Sequence, residues 1–117
     1  YVSGQISSGE NGVVEGKLGE TMNVVQGGNA AELAAVNVLA QIVHNAGIDL
    51  DHIKRVVKLT VFVASTPDFT EHHLVANGGS NLIVGVLGDK GKHSRAAIGV
   101  AALPFGAAVE IEAIVEV

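Results

Sequence analysis

The C-terminal quarter of the chain alternates with a period of two, and that pattern constrains the fold more than any other feature. Val109, Ile111, Ala113, Val115 and Val117 interleave with Glu110, Glu112, Ile114 and Glu116. Successive side chains of a strand point to opposite faces, so this segment has one apolar face and one mixed face. Arg95–Ala102 behaves the same way, with Ala96, Ile98, Val100 and Ala102 against Arg95, Ala97, Gly99 and Ala101. Leu103-Pro104-Phe105-Gly106 joins the two as a turn. Such strands need a layer over the apolar face, which is expected to lie on Ala96, Ile98, Val100 and Ala102. The face of Arg95, Ala97, Gly99 and Ala101 is then expected beside Glu110 and Glu112.

Upstream, Tyr1–Gln5 is β-prone, and the chain is expected to open inside a strand. Ser7–Glu20 carries Gly9, Gly12, Gly16 and Gly19 and reads as a long connection or an irregular hairpin. From Val24 to Asn45, Ala31, Ala34, Ala35, Val38, Leu39 and Ile42 recur at three- and four-residue spacing, predicting an amphipathic helix. Asn23 is its expected N-cap, and Gly47 stands where a left-handed residue closes such a helix. The β-branched run Ile53–Val63 predicts a strand. Ser65-Thr66-Pro67-Asp68 predicts a helix start capped by Thr66, broken at Asn77-Gly78-Gly79 and resumed from Ser80 to Gly88, before a charged turn from Asp89 to Lys92.

The order β, loop, α, β, α, β, β predicts an α/β (α+β) fold in which two helices cover one face of a mixed sheet. The other face would be exposed in a monomer, and a share of charged residues of only 16% against about 25% in an average domain points to a covering partner. A length of 117 residues allows a single domain, residues 1–117.

Composition excludes several functions. Seven Lys and Arg against twelve Asp and Glu give a net charge of −5, an unsuitable balance for neutralising phosphates, and four aromatic residues are too few for a base-stacking platform. Nucleic acid is an unlikely partner. No cysteine is present, so disulfides, thiolate nucleophiles and cysteine-held metals are absent. His72 and His73 are adjacent, about 100° apart on a helix, and no metal-ligand spacing or cofactor-binding motif occurs, so neither metal nor cofactor is expected. No apolar stretch approaches the ~20 residues of a membrane span, and the chain is expected to be cytoplasmic.

Arg95 on one C-terminal strand and Glu110 on the next, each on the mixed face, form a candidate pair. From the residues alone they read as a cross-strand ion pair or a solvated edge as readily as a site. Their context adds to this: Ser94-Arg95-Ala96-Ala97, Gly99-Val100-Ala101, Leu103-Pro104 and Val109-Glu110-Ile111-Glu112-Ala113-Ile114 resemble the C-terminal signature of the Rid family, the reactive intermediate deaminases or YjgF-like proteins. Ser3-Gly4-Gln5, Lys58–Val63 and Asp68-Phe69 resemble further parts of its pattern.

The resemblance implies a chorismate-mutase-like fold, a homotrimer with clefts between subunits, and hydrolysis of small 2-imino acids to 2-keto acids and ammonia without a cofactor. It assigns Arg95 to the substrate carboxylate, Glu110 to the attacking water, and Ser3, Gly4 and Ala97 to the cleft lining, Ala97 through its main chain. Two departures mark a divergent branch. The family's first strand, with its cleft-closing aromatic residue, has no counterpart here, and the segment His72–Ser80 is longer than in the typical deaminases. A non-catalytic trimer that binds small carboxylate metabolites is the alternative, and an endoribonuclease the weakest reading.

Overall fold

The computed structural model describes Tyr1–Val117. Its main elements are β1 (Val2–Ile6), β2 (Ser8–Gly9), β3 (Gly12–Val13), α1 (Val24–Ala40), β4 (Arg55–Ala64), α2 (His72–Leu87), β5 (Ser94–Val100) and β6 (Val109–Glu116). Four strands form one sheet in the order β1–β6–β4–β5, parallel between β4 and β5 and antiparallel elsewhere, while β2 and β3 make a small separate hairpin. Both helices lie on one face of the sheet and pack against each other. This is the mixed α+β architecture expected, and the Ser7–Glu20 segment is the irregular hairpin. No helix is long and apolar enough to cross a membrane.

The core lies between the helices and the sheet. Leu59, Val61 and Val63 of β4 pair in register with Ala113, Ile111 and Val109 of β6, and all six are buried under the helices. Glu110, Glu112 and Ile114 pair with Phe62, Thr60 and Lys58 on the open face, as the alternation of β6 requires. The same register corrects the orientation expected for β5. Arg95, Ala97 and Gly99 pair with Leu59, Val61 and Val63 and therefore face the helices, whereas Ala96 and Ile98 face the open side. The cause is space: a Cβ on Gly99 would lie 2.6 Å from both Ser65 Oγ and His72 Nε2. Small residues go where α2 comes close, and Ile98 is left 46% exposed.

The first helix starts where its cap predicts. The Asn23 side chain accepts from the Gln26 amide, and the Gln26 side chain accepts from the Asn23 amide, both at 2.9 Å, a reciprocal capping box. The α-helical part ends at Ala40, a π-helical turn carries the chain from Gln41 to Asn45, and Gly47 takes the left-handed conformation at φ 66°. Ala30, Ala31, Ala34 and Ala35 are fully buried on the inner face.

The second helix departs from expectation at its start and its middle. It begins at His72, and Thr66 caps no helical amide; Thr66–Phe69 is a turn closed by the Phe69 amide on the Thr66 carbonyl at 3.2 Å. The expected break at Asn77-Gly78-Gly79 does not occur, and the helix runs unbroken to Leu87. Each interior glycine costs about 1 kcal/mol of propensity relative to alanine, so packing must repay it. A Cβ on Gly78 would overlap the Gly28 carbonyl of α1, and one on Gly79 would lie 2.7 Å from Ile111 Cδ1. The glycines set how closely the helices approach each other and the sheet.

Gly85, in the same helix, has open space around its Cβ position. Gly85→Ala is therefore expected to stabilise the fold by up to about 1 kcal/mol, and Gly78→Ala to destabilise it by about 1–3 kcal/mol despite the better propensity. Urea unfolding of the two variants checks the opposite signs.

Candidate active site

Arg95 extends from β5 across the N-terminal half of α2. Its Nη1 donates to Asn77 Oδ1 at 2.9 Å and to Ser80 Oγ at 3.2 Å, and its Nη2 donates to the His73 carbonyl at 3.4 Å. His73, Asn77 and Ser80 follow at four- and three-residue spacing, one face of the unbroken helix. A guanidinium has five N–H donors; three are engaged here, which leaves Nε and one Nη2 hydrogen for a ligand. Two free donors on a planar group already fixed at three points form a prepositioned fork for a carboxylate.

The strand beneath adds main-chain groups. The Val100 carbonyl accepts from the Ser65 amide at 3.1 Å, on the β4 side. Backbone groups alternate along a strand, so Ile98 and Ala96 also turn theirs toward β4, while Arg95, Ala97 and Gly99 present theirs along the free edge of the sheet. Beside Arg95, an open cleft of about 270 Å³ is lined by Ser80, Val84, Lys92 and His93.

Glu110 stands elsewhere. It is half-buried on the open face opposite Phe62, and β4 separates its strand from β5. Two strand spacings amount to roughly 10 Å, and the two side chains leave opposite faces of the sheet. Gly4 is against Glu110: a Cβ at Gly4 would overlap the carboxylate. Ser3, by contrast, lines a separate cleft of about 320 Å³ with Gln5 and the π-helical residues Gln41, Ile42 and Asn45. One chain thus brings Arg95 together with Ala97, and Gly4 together with Glu110, and leaves Ser3 with neither pair.

Asn77, Ser80 and His93 were not among the expected site residues. The signal for the first two was the helical spacing of residues 73, 77 and 80, hidden by reading Asn77-Gly78-Gly79 as a break. The histidines have separate partners: His72 Nε2 is 3.2 Å from Ser65 Oγ, with its ring edge-on to Phe69, and His93 Nε2 is 2.9 Å from Ser80 Oγ. No three His, Asp or Glu side chains converge where a metal ion could be held. The ion pairs are Arg55 with Glu116 at 2.8 Å and Lys92 with Asp89 at 3.1 Å, so neither Arg95 nor Glu110 is neutralised by a salt bridge.

The family model described as "Endoribonuclease L-PSP" matches residues 1–117. Protein TCP17 of Trypanosoma cruzi is 51% identical over 99% of this chain and 73% of its own length. The crystal structure of Atu1372 from Agrobacterium tumefaciens, a protein of unknown function, superposes with a TM-score of 0.96 at 53% identity, covering 100% of this chain and 74% of that one. The crystal structure of a protein from Shewanella oneidensis, described as a candidate endoribonuclease, gives a TM-score of 0.91 at 27% identity, with coverage of 98% of this chain and 76% of that one.

Proposed function

Because this chain belongs to the endoribonuclease L-PSP family, also called the YjgF or Rid family, we propose that it is a cofactor-independent imine hydrolase of the cytoplasm, which takes small 2-imino acids to 2-keto acids and ammonia. The observation that carries this reading is Arg95, held by Asn77, Ser80 and His73 with two donors left free at the open edge of β5. That fork takes the substrate carboxylate, and the free amide of Ala97 supports it. The iminium carbon is already electrophilic. Water adds its oxygen to that carbon while Glu110 takes a proton from it; Glu110 passes that proton to nitrogen, and as the C–N bond breaks and ammonia leaves, the new hydroxyl gives its remaining proton to Glu110 and becomes the carbonyl.

Arg95 and Glu110 occupy opposite faces of one sheet, so the reaction needs a second subunit to bring them together. A homotrimer does this if the β5 edge of each subunit meets the open face of the next, a head-to-tail contact that closes into a ring. Ile98, Phe62 and Ile114 make that face apolar enough to bury, and Gly4 leaves the Glu110 carboxylate room. The same separation supports a second reading, a trimer that binds carboxylates at Arg95 and performs no chemistry. The endoribonuclease description attached to the family finds little support in a chain of net charge −5 with four aromatic residues.

Light scattering is expected to give three times the 11.9 kDa chain mass; a monomer at micromolar concentration would remove the shared site. Arg95→Lys keeps the charge and loses the planar fork, so affinity for 2-keto acids should fall about tenfold or more while the oligomer persists, and Arg95→Ala should be worse. Calorimetry with pyruvate reads both.

Glu110→Gln keeps shape and accepts no proton, so 2-iminopropionate hydrolysis should slow by roughly 10²- to 10⁴-fold with pyruvate binding little changed. Unimpaired turnover in that variant would take Glu110 out of the mechanism, and absence of turnover in the parent protein would favour the binding trimer.

A further inference from the structure

The Arg95 fork continues into a directional chain of hydrogen bonds. His93 Nδ1 lies 2.6 Å from the Gly91 carbonyl, which only accepts, so Nδ1 carries a proton. In the neutral ring Nε2 is then the acceptor, and the Ser80 hydroxyl 2.9 Å away donates to it. The Ser80 oxygen, its hydrogen committed to His93, accepts from Arg95 Nη1 at 3.2 Å. The order is Arg95 to Ser80 to His93 to the Gly91 carbonyl. Ser80, His93 and Arg95 line one cleft.

We propose that Ser80 and His93 are positioning residues for Arg95, and that carboxylate binding at Arg95 is coupled to uptake of a proton by His93. This rests on the reading of Arg95 as the carboxylate holder. When Nε2 gains a proton it becomes a donor to Ser80, whose oxygen then accepts from both His93 and Arg95. The Ser80 hydrogen must turn away from the ring, and the cleft is where an anion can accept it. Ser80 thus stays an acceptor for the arginine in both states, while its hydrogen turns from the ring into the cleft that Arg95 also lines.

The charges around His93 favour coupling. Arg95 and Lys92 line the same cleft, and no carboxylate does. Asp89 offsets Lys92 through their 3.1 Å ion pair. From α2 only the uncharged Ser80 and Val84 reach the cleft; His73 offers Arg95 its carbonyl, and His72 is bonded to Ser65. Lys90 is turned to the Leu50 carbonyl, and Lys58, from β4, lies on the open face. A bound carboxylate supplies the missing negative charge. By linkage, anion binding and protonation then strengthen each other equally.

The test is calorimetric titration of the intact protein with pyruvate from pH 8 to pH 5.5, the range in which imidazole changes charge, in buffers of different ionisation enthalpy to count protons taken up. Affinity in the parent should rise on the order of 5-fold or more toward low pH, with net proton uptake on binding. His93→Gln should bind with a flat pH profile and no uptake. Ser80→Ala should bind more weakly and lose the coupling, and Ser80→Thr, which restores a hydroxyl, should recover both. A flat profile in the parent, or the parental slope retained in His93→Gln or Ser80→Ala, overturns the coupling. Arg95→Ala separates the two levels: undiminished binding there sinks the carboxylate reading itself, whereas lost binding there with parental behaviour in the other variants removes only the role of Ser80 and His93.

Discussion

The molecule depends on a contact of backbone with backbone, where Gly78 of α2 meets the Gly28 carbonyl of α1. No side chain fits between them, so the distance between the helices is set by main-chain atoms and leaves little latitude. Gly79 continues the arrangement one residue on, letting α2 down onto Ile111 of β6. Asn77 and Ser80 flank this glycine pair, and both reach Arg95. The close packing of the helices therefore fixes the height at which the acceptors meet the guanidinium. A methyl group at residue 78 would have to lift the helix, and hydrogen bonds of 2.9 and 3.2 Å have little slack before they weaken.

How much of this could be read beforehand differs from strand to strand. The faces of β6 were legible because its two sides differ in kind, β-branched and alanine residues against glutamates, and such a strand has one way to lie on a core. In β5 both sides are small or apolar apart from Arg95, so hydropathy assigns Ile98 and Val100 to the helices. The register assigns Arg95, Ala97 and Gly99 instead, because α2 comes so near that glycine is required beside Ser65 and His72. Closeness of approach decided the face, and closeness is a property of the tertiary structure. The N-cap of α1 was legible because a capping box is local; the unbroken course of α2 was not, because what makes its glycines acceptable lies fifty residues away in α1.

The site followed the same rule. Arg95 stands out as the one charge of β5, and Gly4 falls against Glu110 where the resemblance assigned them a common cleft. Asn77, Ser80 and His93 could be seen only once α2 was continuous, since a helix broken at residue 77 does not align 73, 77 and 80. The expectation that Arg95 shares a face with Glu110 failed with the face of β5.

Separation of the two charges has a chemical logic of its own. Had Arg95 faced the open side of the sheet with Glu110, an unfilled site would invite a salt bridge between them, occupying the fork and stabilising the carboxylate against taking a proton. Under the proposed reading each keeps its function on opposite faces: the guanidinium is steadied by neutral acceptors, which leave its charge available to a ligand, and the glutamate lies beside a glycine that leaves it room. Neutral anchors also hold the fork in place before the ligand arrives, reducing the ordering cost of binding. Under the proposed reading, cation and base converge only where two subunits meet, so assembly creates the site without either half neutralising the other beforehand.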